Sequence, residues 1–271
     1  MKRFLLGAAT GAILISASAS QALAGDSSAP VLDKIMKRGE LIVAMTGDQP
    51  PLNATNKKGE LIGLEVELAR TLGASMGVKT KIVTKPFPEL LPALEAGKVD
   101  MVISGITITP QRNAKVLFAG PYFISGKSLL TKSEKLADAE DAAEINADNV
   151  RLAALGGSTS EQFVNDAIPK AKLTVVDSYD EAIKLLKKDE VDGLVAGFPY
   201  CVVAALRGEA DGLDTLAEPF TYEPIGIALP GNDPRLANLV QNFLNTMRGS
   251  GALLELKAGW FLDSSWLDEL K

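Results

Sequence analysis

Glu89-Leu-Leu-Pro-Ala-Leu-Glu-Ala-Gly-Lys-Val-Asp-Met-Val-Ile-Ser-Gly105 decides the fold, because a second stretch aligns to it without a gap. That stretch is Glu181-Ala-Ile-Lys-Leu-Leu-Lys-Lys-Asp-Glu-Val-Asp-Gly-Leu-Val-Ala-Gly197. Five of the 17 positions are identical: Glu89 and Glu181, Leu94 and Leu186, Val99 and Val191, Asp100 and Asp192, Gly105 and Gly197. Each copy reads as an amphipathic helix, a Val-Asp turn, an apolar strand and a glycine. The copies lie 92 residues apart, too far for a solenoid period, so they predict two similar α/β lobes.

Working outward, the chain alternates between strand and helix patterns. Leu41–Met45 and Thr80–Thr84 read as strands, Glu65–Met76 and Glu89–Ala96 as helices, and Val99–Ser104 as a buried strand. Such alternation predicts parallel sheets covered by helices. Ligands of open α/β sheets sit beyond the carboxyl ends of the strands, where Gly105 and Gly197 fall. If the lobes face one another, both strand ends line one cleft. Towards the C-terminus, Asp233-Pro234 marks a capped helix start, and Leu236, Leu239, Val240, Phe243, Leu244 and Met247 keep helical spacing. This last segment reads as a return to the first lobe.

Residues 1–24 read as a secretory leader: Lys2 and Arg3, an apolar run from Phe4 to Ile15, then Ala22-Leu23-Ala24. The apolar run is too short to span a bilayer. The single cysteine, Cys201, lies far from the cleavage point, so the sequence predicts no lipid anchor there and no internal disulfide. It lies in an apolar run and reads as a packing residue. The chain carries a net charge of −6, and the leader holds two basic and no acidic residues, so the exported part is more negative still. That argues against nucleic acid or an anionic membrane surface as partner.

Two helix starts carry candidate chemistry. Thr109-Pro110 forms an N-cap and first helical position, placing Arg112 in the first turn, where a cation opposes the helix dipole. A bound carboxylate would offset this, as would an acid nearby on the surface. In the second lobe, Ser158 and Glu161 have capping-box spacing behind the pair Gly156-Gly157. That start either donates to an anion or is a well-capped helix. Phe87 precedes the first repeated helix and reads as a core residue.

Several of these segments resemble the periplasmic solute-binding proteins of polar amino-acid ABC transporters, family 3. They are Leu41–Leu52, Gly59–Leu72, Phe87–Tyr122, Gly156–Glu161 and Glu190–Gly197, with Ser104-Gly-Ile-Thr-Ile-Thr-Pro-Gln-Arg112 the most specific. The resemblance implies a type II periplasmic-binding-protein fold: two α/β lobes, each a central sheet flanked by helices, joined by two hinge crossings and closing on ligand. The divisions expected are a leader at 1–24, the first lobe at 25–124, the second at 125–226, and the first lobe again at 227–271. Hinges are expected near Pro121–Ser128 and Pro224–Leu229.

By motif position, the resemblance implies that Arg112 grips a ligand α-carboxylate. Thr107, Gly105 and Ser104 add hydrogen bonds, Phe87 stacks on the ligand, and Ser158 and Thr159 complete the cradle. Two departures stand out. Gly197 occupies a position where the family usually has an Asp for the ligand ammonium, and Gln49 and Leu52 occupy positions where aromatics are common. Asp48 is the candidate replacement for the missing carboxylate. The implied partners are a small carboxylate ligand, an amino acid first of all, and an inner-membrane permease, with the protein a monomer in the periplasm and without cofactor.

Three function classes remain from sequence: a transport receptor for an amino acid or another small carboxylate, a secreted cyclohexadienyl dehydratase-like lyase, and a detached sensor module. The chain has no histidine, no phosphate-binding Gly-rich loop and no nucleophile elbow. Acid–base chemistry would therefore fall on carboxylates, which favours the receptor over the enzyme.

Overall fold

A computed structural model describes residues 29–271; the leader reading at 1–24 lies outside them. The first five-stranded sheet runs Lys79–Thr84, Glu40–Met45, Met101–Val102, Glu223–Leu229 and Leu117–Ser125 in spatial order. The second runs Lys172–Val176, Arg151–Leu155, Gly193–Gly197, Lys127–Thr131 and Asp214–Thr215. In each, the first three strands are parallel and the fourth runs antiparallel to both of its neighbours. A small antiparallel sheet, Asp48–Gln49, Asn53–Thr55 and Leu61–Ile62, is attached to the first lobe.

The repeat has a physical cause. Asp100 Oδ2 accepts from the Ile42 N–H at 2.8 Å, and Asp192 Oδ2 accepts from the Arg151 N–H at 2.8 Å. Each aspartate thus fastens the start of the neighbouring parallel strand, and each is paired with an arginine, Arg38 or Arg151. Val99 and Val191, Leu94 and Leu186 are buried on the matching faces. The helices of the two copies are Leu90–Glu95 and Tyr179–Lys187.

The C-terminal helix Pro234–Gly249 packs on the first sheet through Leu236, Val240 and Leu244, which are fully buried. Its cap, Asp233, serves two helices. Oδ1 accepts from Leu236 N–H at 2.9 Å, while Oδ2 accepts from Val31 and Leu32 N–H at 2.9 and 2.8 Å. Pro30–Arg38 is therefore pinned by a residue some 200 positions later, and a buried carboxylate satisfies otherwise orphaned donors.

The chain crosses between the sheets twice. The outward crossing, at Gly126, falls within the 121–128 expected. The return runs through 216–222, upstream of 224–229, which is instead a strand of the first sheet. Within that strand Pro224 pairs with Ile124, and a register shift follows between Ile225 and Ile227. The two crossings are bonded together: Lys127 N–H donates to Thr221 Oγ1 at 2.9 Å and Phe220 N–H to Lys127 O at 2.8 Å. Gly126 allows this, since a Cβ there would lie 2.0 Å from the Thr221 carbonyl oxygen.

Cys201 is buried in the helix Phe198–Gly208, and burial pushes its thiol up to about 12. Among the described residues, no helix is long and apolar enough to cross a membrane.

Candidate functional site

The carboxyl ends of strands from both lobes meet at a cavity of about 50 Å³. The first lobe contributes Gln49, Phe87, Gly105 and Thr107 to its wall, and the second contributes Ser158, Thr159, Tyr179, Gly197 and Tyr200. Lys127 and Glu223 line it from the crossings. The space holds one or two water molecules.

Arg112 stands at the edge of this cavity. Its Nη1 donates to Thr107 O at 3.0 Å and its Nη2 to Gly157 O at 3.2 Å, across the cleft. The guanidinium also lies over the Phe87 ring, 5.8 Å from the centroid. Among the described residues it has no ion-pair partner, and burial lowers its pKa, with the Glu223 charge partly opposing. The surface-pair alternative is thus not what the structure shows. The dipole argument is also corrected: the helix is the single turn Pro110–Asn113, and Thr109 Oγ1 caps it by accepting from Arg112 N–H at 3.2 Å. What marks Arg112 is a half-buried guanidinium with no ion-pair partner among the described residues.

On the facing side, the capping box forms. Ser158 Oγ accepts from Ser160 and Glu161 N–H, and Glu161 Oε2 accepts from Gly157 N–H at 2.7 Å. Ser158 also donates its hydroxyl proton to Leu155 O at 2.5 Å, so its side chain is committed to the cap. Thr159 is freer: its Oγ1 meets Thr107 Oγ1 at 3.3 Å, a second contact across the cleft.

Gly105 is held from below. Glu65, fully buried in the helix Leu64–Ser75, accepts from Gly105 N–H at 2.6 Å, from Asn53 Nδ2 at 2.5 Å and from Tyr122 OH. Burial raises the Glu65 carboxyl in spite of these donors. Gly105 has φ +59°, and a Cβ there would lie 2.6 Å from Gln49 Oε1. Gln49 is 6% exposed, and its Nε2 has no hydrogen-bond partner. Ser104 is not on the cavity wall; its Oγ accepts from Thr46 N–H at 3.0 Å and braces the turn before Gln49.

Asp48 is also off this wall. It lines adjoining clefts and faces Tyr179 N–H and the Asp180 carboxylate of the other lobe. Its Oδ1 is buried without a partner, and burial raises its carboxyl above the usual 3.8. Gly197 is on the wall, with room for a side chain: a Cβ would find Ser125 Oγ at 3.6 Å.

Sequence reasoning missed the cavity's own ion pair. Lys127 Nζ donates to Glu223 Oε2 at 2.6 Å, with both residues buried. It also missed Tyr179 and Tyr200, whose rings stack with centroids 4.1 Å apart. Lys127 opens the strand Lys127–Thr131, whose residues are all buried. A lone charge in such a segment was the available signal.

Comparison with known proteins agrees with this fold. The L-cystine-binding protein TcyJ of Escherichia coli (strain K12) is 25% identical over 231 residues, 85% of this chain and 86% of that one. The cyclohexadienyl dehydratase of Pseudomonas aeruginosa is 25% identical over 243 residues, 87% of each chain. A solved structure, the putative binding component of an ABC transporter from Wolinella succinogenes DSM 1740 complexed with lysine, superposes with a TM-score of 0.81. It is 32% identical, over 85% of this chain and 99% of that one. Residues 41–263 match one family throughout, and the chain belongs to the bacterial extracellular solute-binding proteins, family 3.

Proposed function

We propose that the chain is the substrate-binding component of an amino-acid ABC transporter, holding a small α-carboxylate ligand between its lobes. The observation that carries this is Arg112, a half-buried guanidinium that has no ion-pair partner among the described residues and is bonded to carbonyls of both lobes beside the cavity. A carboxylate offers it charge and bidentate geometry that two carbonyls lack. Thr107, Thr159, Gly105 and Gln49 surround the same space, and Phe87 supplies the apolar wall. Ligand bridging the lobes favours the closed form through contacts it makes only there.

In this reading the leader is cleaved after residue 24, and the protein works without a lipid anchor as a periplasmic monomer. It passes its ligand to an inner-membrane permease. The lobes are residues 25–124 with 227–271, and 125–226, turning about the paired crossings.

Calorimetric titration of protein stripped by unfolding and refolding, against the twenty amino acids and amine-free carboxylates, tests the reading. One amino acid is expected to bind tightly and to shrink the scattering radius. Absence of any amino-acid ligand would overturn it. A lyase is the second reading, favoured by the dehydratase relative and by Glu223, the one carboxylate on the cavity wall. Turnover of a cyclohexadienyl substrate would establish it.

A further inference from the structure

The charged groups of the cavity do not cancel. Lys127 and Glu223 are 5% and 8% exposed and neutralise one another at 2.6 Å. Among the described residues Arg112 has no ion-pair partner. Asp48, Asp177 and Asp180 line adjoining clefts rather than this cavity. Gly197, at the end of its strand, contributes no carboxylate. The Lys127–Glu223 pair on the wall and the half-buried Arg112 at its edge therefore leave one positive charge in excess.

The hydrogen-bond inventory points the same way. Lys127 and Arg112 are donors only. Gln49 adds an unpartnered, buried Nε2 donor. The one anionic acceptor on the wall, Glu223, is already engaged. Such a wall calls for a ligand rich in acceptors. The electrostatic strain is visible at Lys127, whose pKa is lowered mainly by burial and further by Arg112, against the opposing pull of Glu223.

We propose that the cavity selects a ligand of net charge −1, one whose carboxylates outnumber its ammonium groups by one. The inference rests on the reading that this cavity is the ligand site. A zwitterion brings no net charge and leaves the excess uncompensated, while a cationic amino acid adds to it; a buried charge without a partner is costly. A monoanion completes the balance and takes up the spare donors. Two sources share this chemistry. An amino acid with an acidic side chain would place carboxylates on Arg112 and Lys127 and its ammonium on Glu223. An amine-free monocarboxylate would use Arg112 and leave the Lys127–Glu223 pair intact.

Titration of refolded protein at neutral pH with aspartate, glutamate, asparagine, glutamine, lysine, arginine, propionate and lactate separates the outcomes. At least tenfold tighter binding of aspartate or glutamate than of their amides supports both this inference and the amino-acid reading. Binding by propionate or lactate alone supports the charge rule and overturns the amino-acid reading. Tightest binding by asparagine, glutamine, lysine or arginine overturns the charge rule and keeps the amino-acid reading. Binding by none overturns the charge rule and leaves the amino-acid reading to the titration against all twenty. Two variants check the cause: Lys127→Met and Gly197→Asp each bring the cavity to neutrality, the second in a place with room for it. Either is expected to shift the preference towards a neutral amino acid by tenfold or more, and an unchanged preference in a folded Gly197→Asp protein would overturn the charge rule.

Discussion

Arg112 Nη2 donates to the Gly157 carbonyl at 3.2 Å, so one side chain of the first lobe bonds the backbone of the second. The same guanidinium is the proposed carboxylate clamp, which couples closure to capture. Arg112→Ala is expected to weaken ligand binding at least about 100-fold, the cost of removing one partner of a buried charge pair. It should also enlarge the ligand-free scattering radius. Arg112→Lys keeps the charge but loses the fork, and should recover affinity only in part.

Asp48 faces Asp180 and the Tyr179 N–H across the cleft, and its raised carboxyl belongs to the closed form. The closed form therefore holds a proton more tightly than the open one. Closure is favoured at low pH and weakens as pH rises from the usual 3.8 through the raised value. Asp48→Asn is expected to flatten this dependence and to tighten binding at neutral pH by roughly twofold to threefold, the scale of a screened like-charge contact. Calorimetry from acid to neutral pH, with a ligand whose own groups do not titrate there, reads the difference.

Glu65 gathers three buried donors, from Gly105, Asn53 and Tyr122. Glu65→Leu strands all three. The expected cost is about 3 kcal/mol, or a fall in Tm of roughly 6–12 °C. Differential scanning calorimetry measures it, and the remaining folded protein should bind ligand poorly because the Gly105 loop is no longer held.

Gly105 sits at φ +59°, and a Cβ there would lie 2.6 Å from Gln49 Oε1. Gly105→Ala is expected to cost about 1–2 kcal/mol in backbone strain and to push Gln49 into the ligand space. Affinity should fall about tenfold with the larger part in the binding enthalpy, read by titration beside a thermal melt.

The two lobes were legible because Asp100 and Asp192 do the same local work, each tying its turn to the next strand within its own lobe. Local work leaves a local pattern. The helix caps Thr109, Ser158 and Asp233 were readable for the same reason. Arg112 stood out through its motif, although the helix that seemed to set its environment is one turn long. The Lys127–Glu223 pair was not legible, since its members are 96 positions apart and meet only where the crossings lie side by side. Nor could pattern separate Ser104 or Asp48 from the wall: both lie within a few residues of lining positions, and only the path of the backbone turns them away.

Cys201, the single cysteine of the chain, is sealed in the second lobe with its thiol pushed up to about 12. A thiol-reactive dye added to the native protein thus finds almost no thiolate to attack. Tyr222, 72% exposed on the return crossing, can be replaced by cysteine and labelled alone, with no need to remove the native one. A fluorophore there sits on the return crossing, where the proposed lobe closure would change its surroundings, and its signal is expected to follow ligand addition.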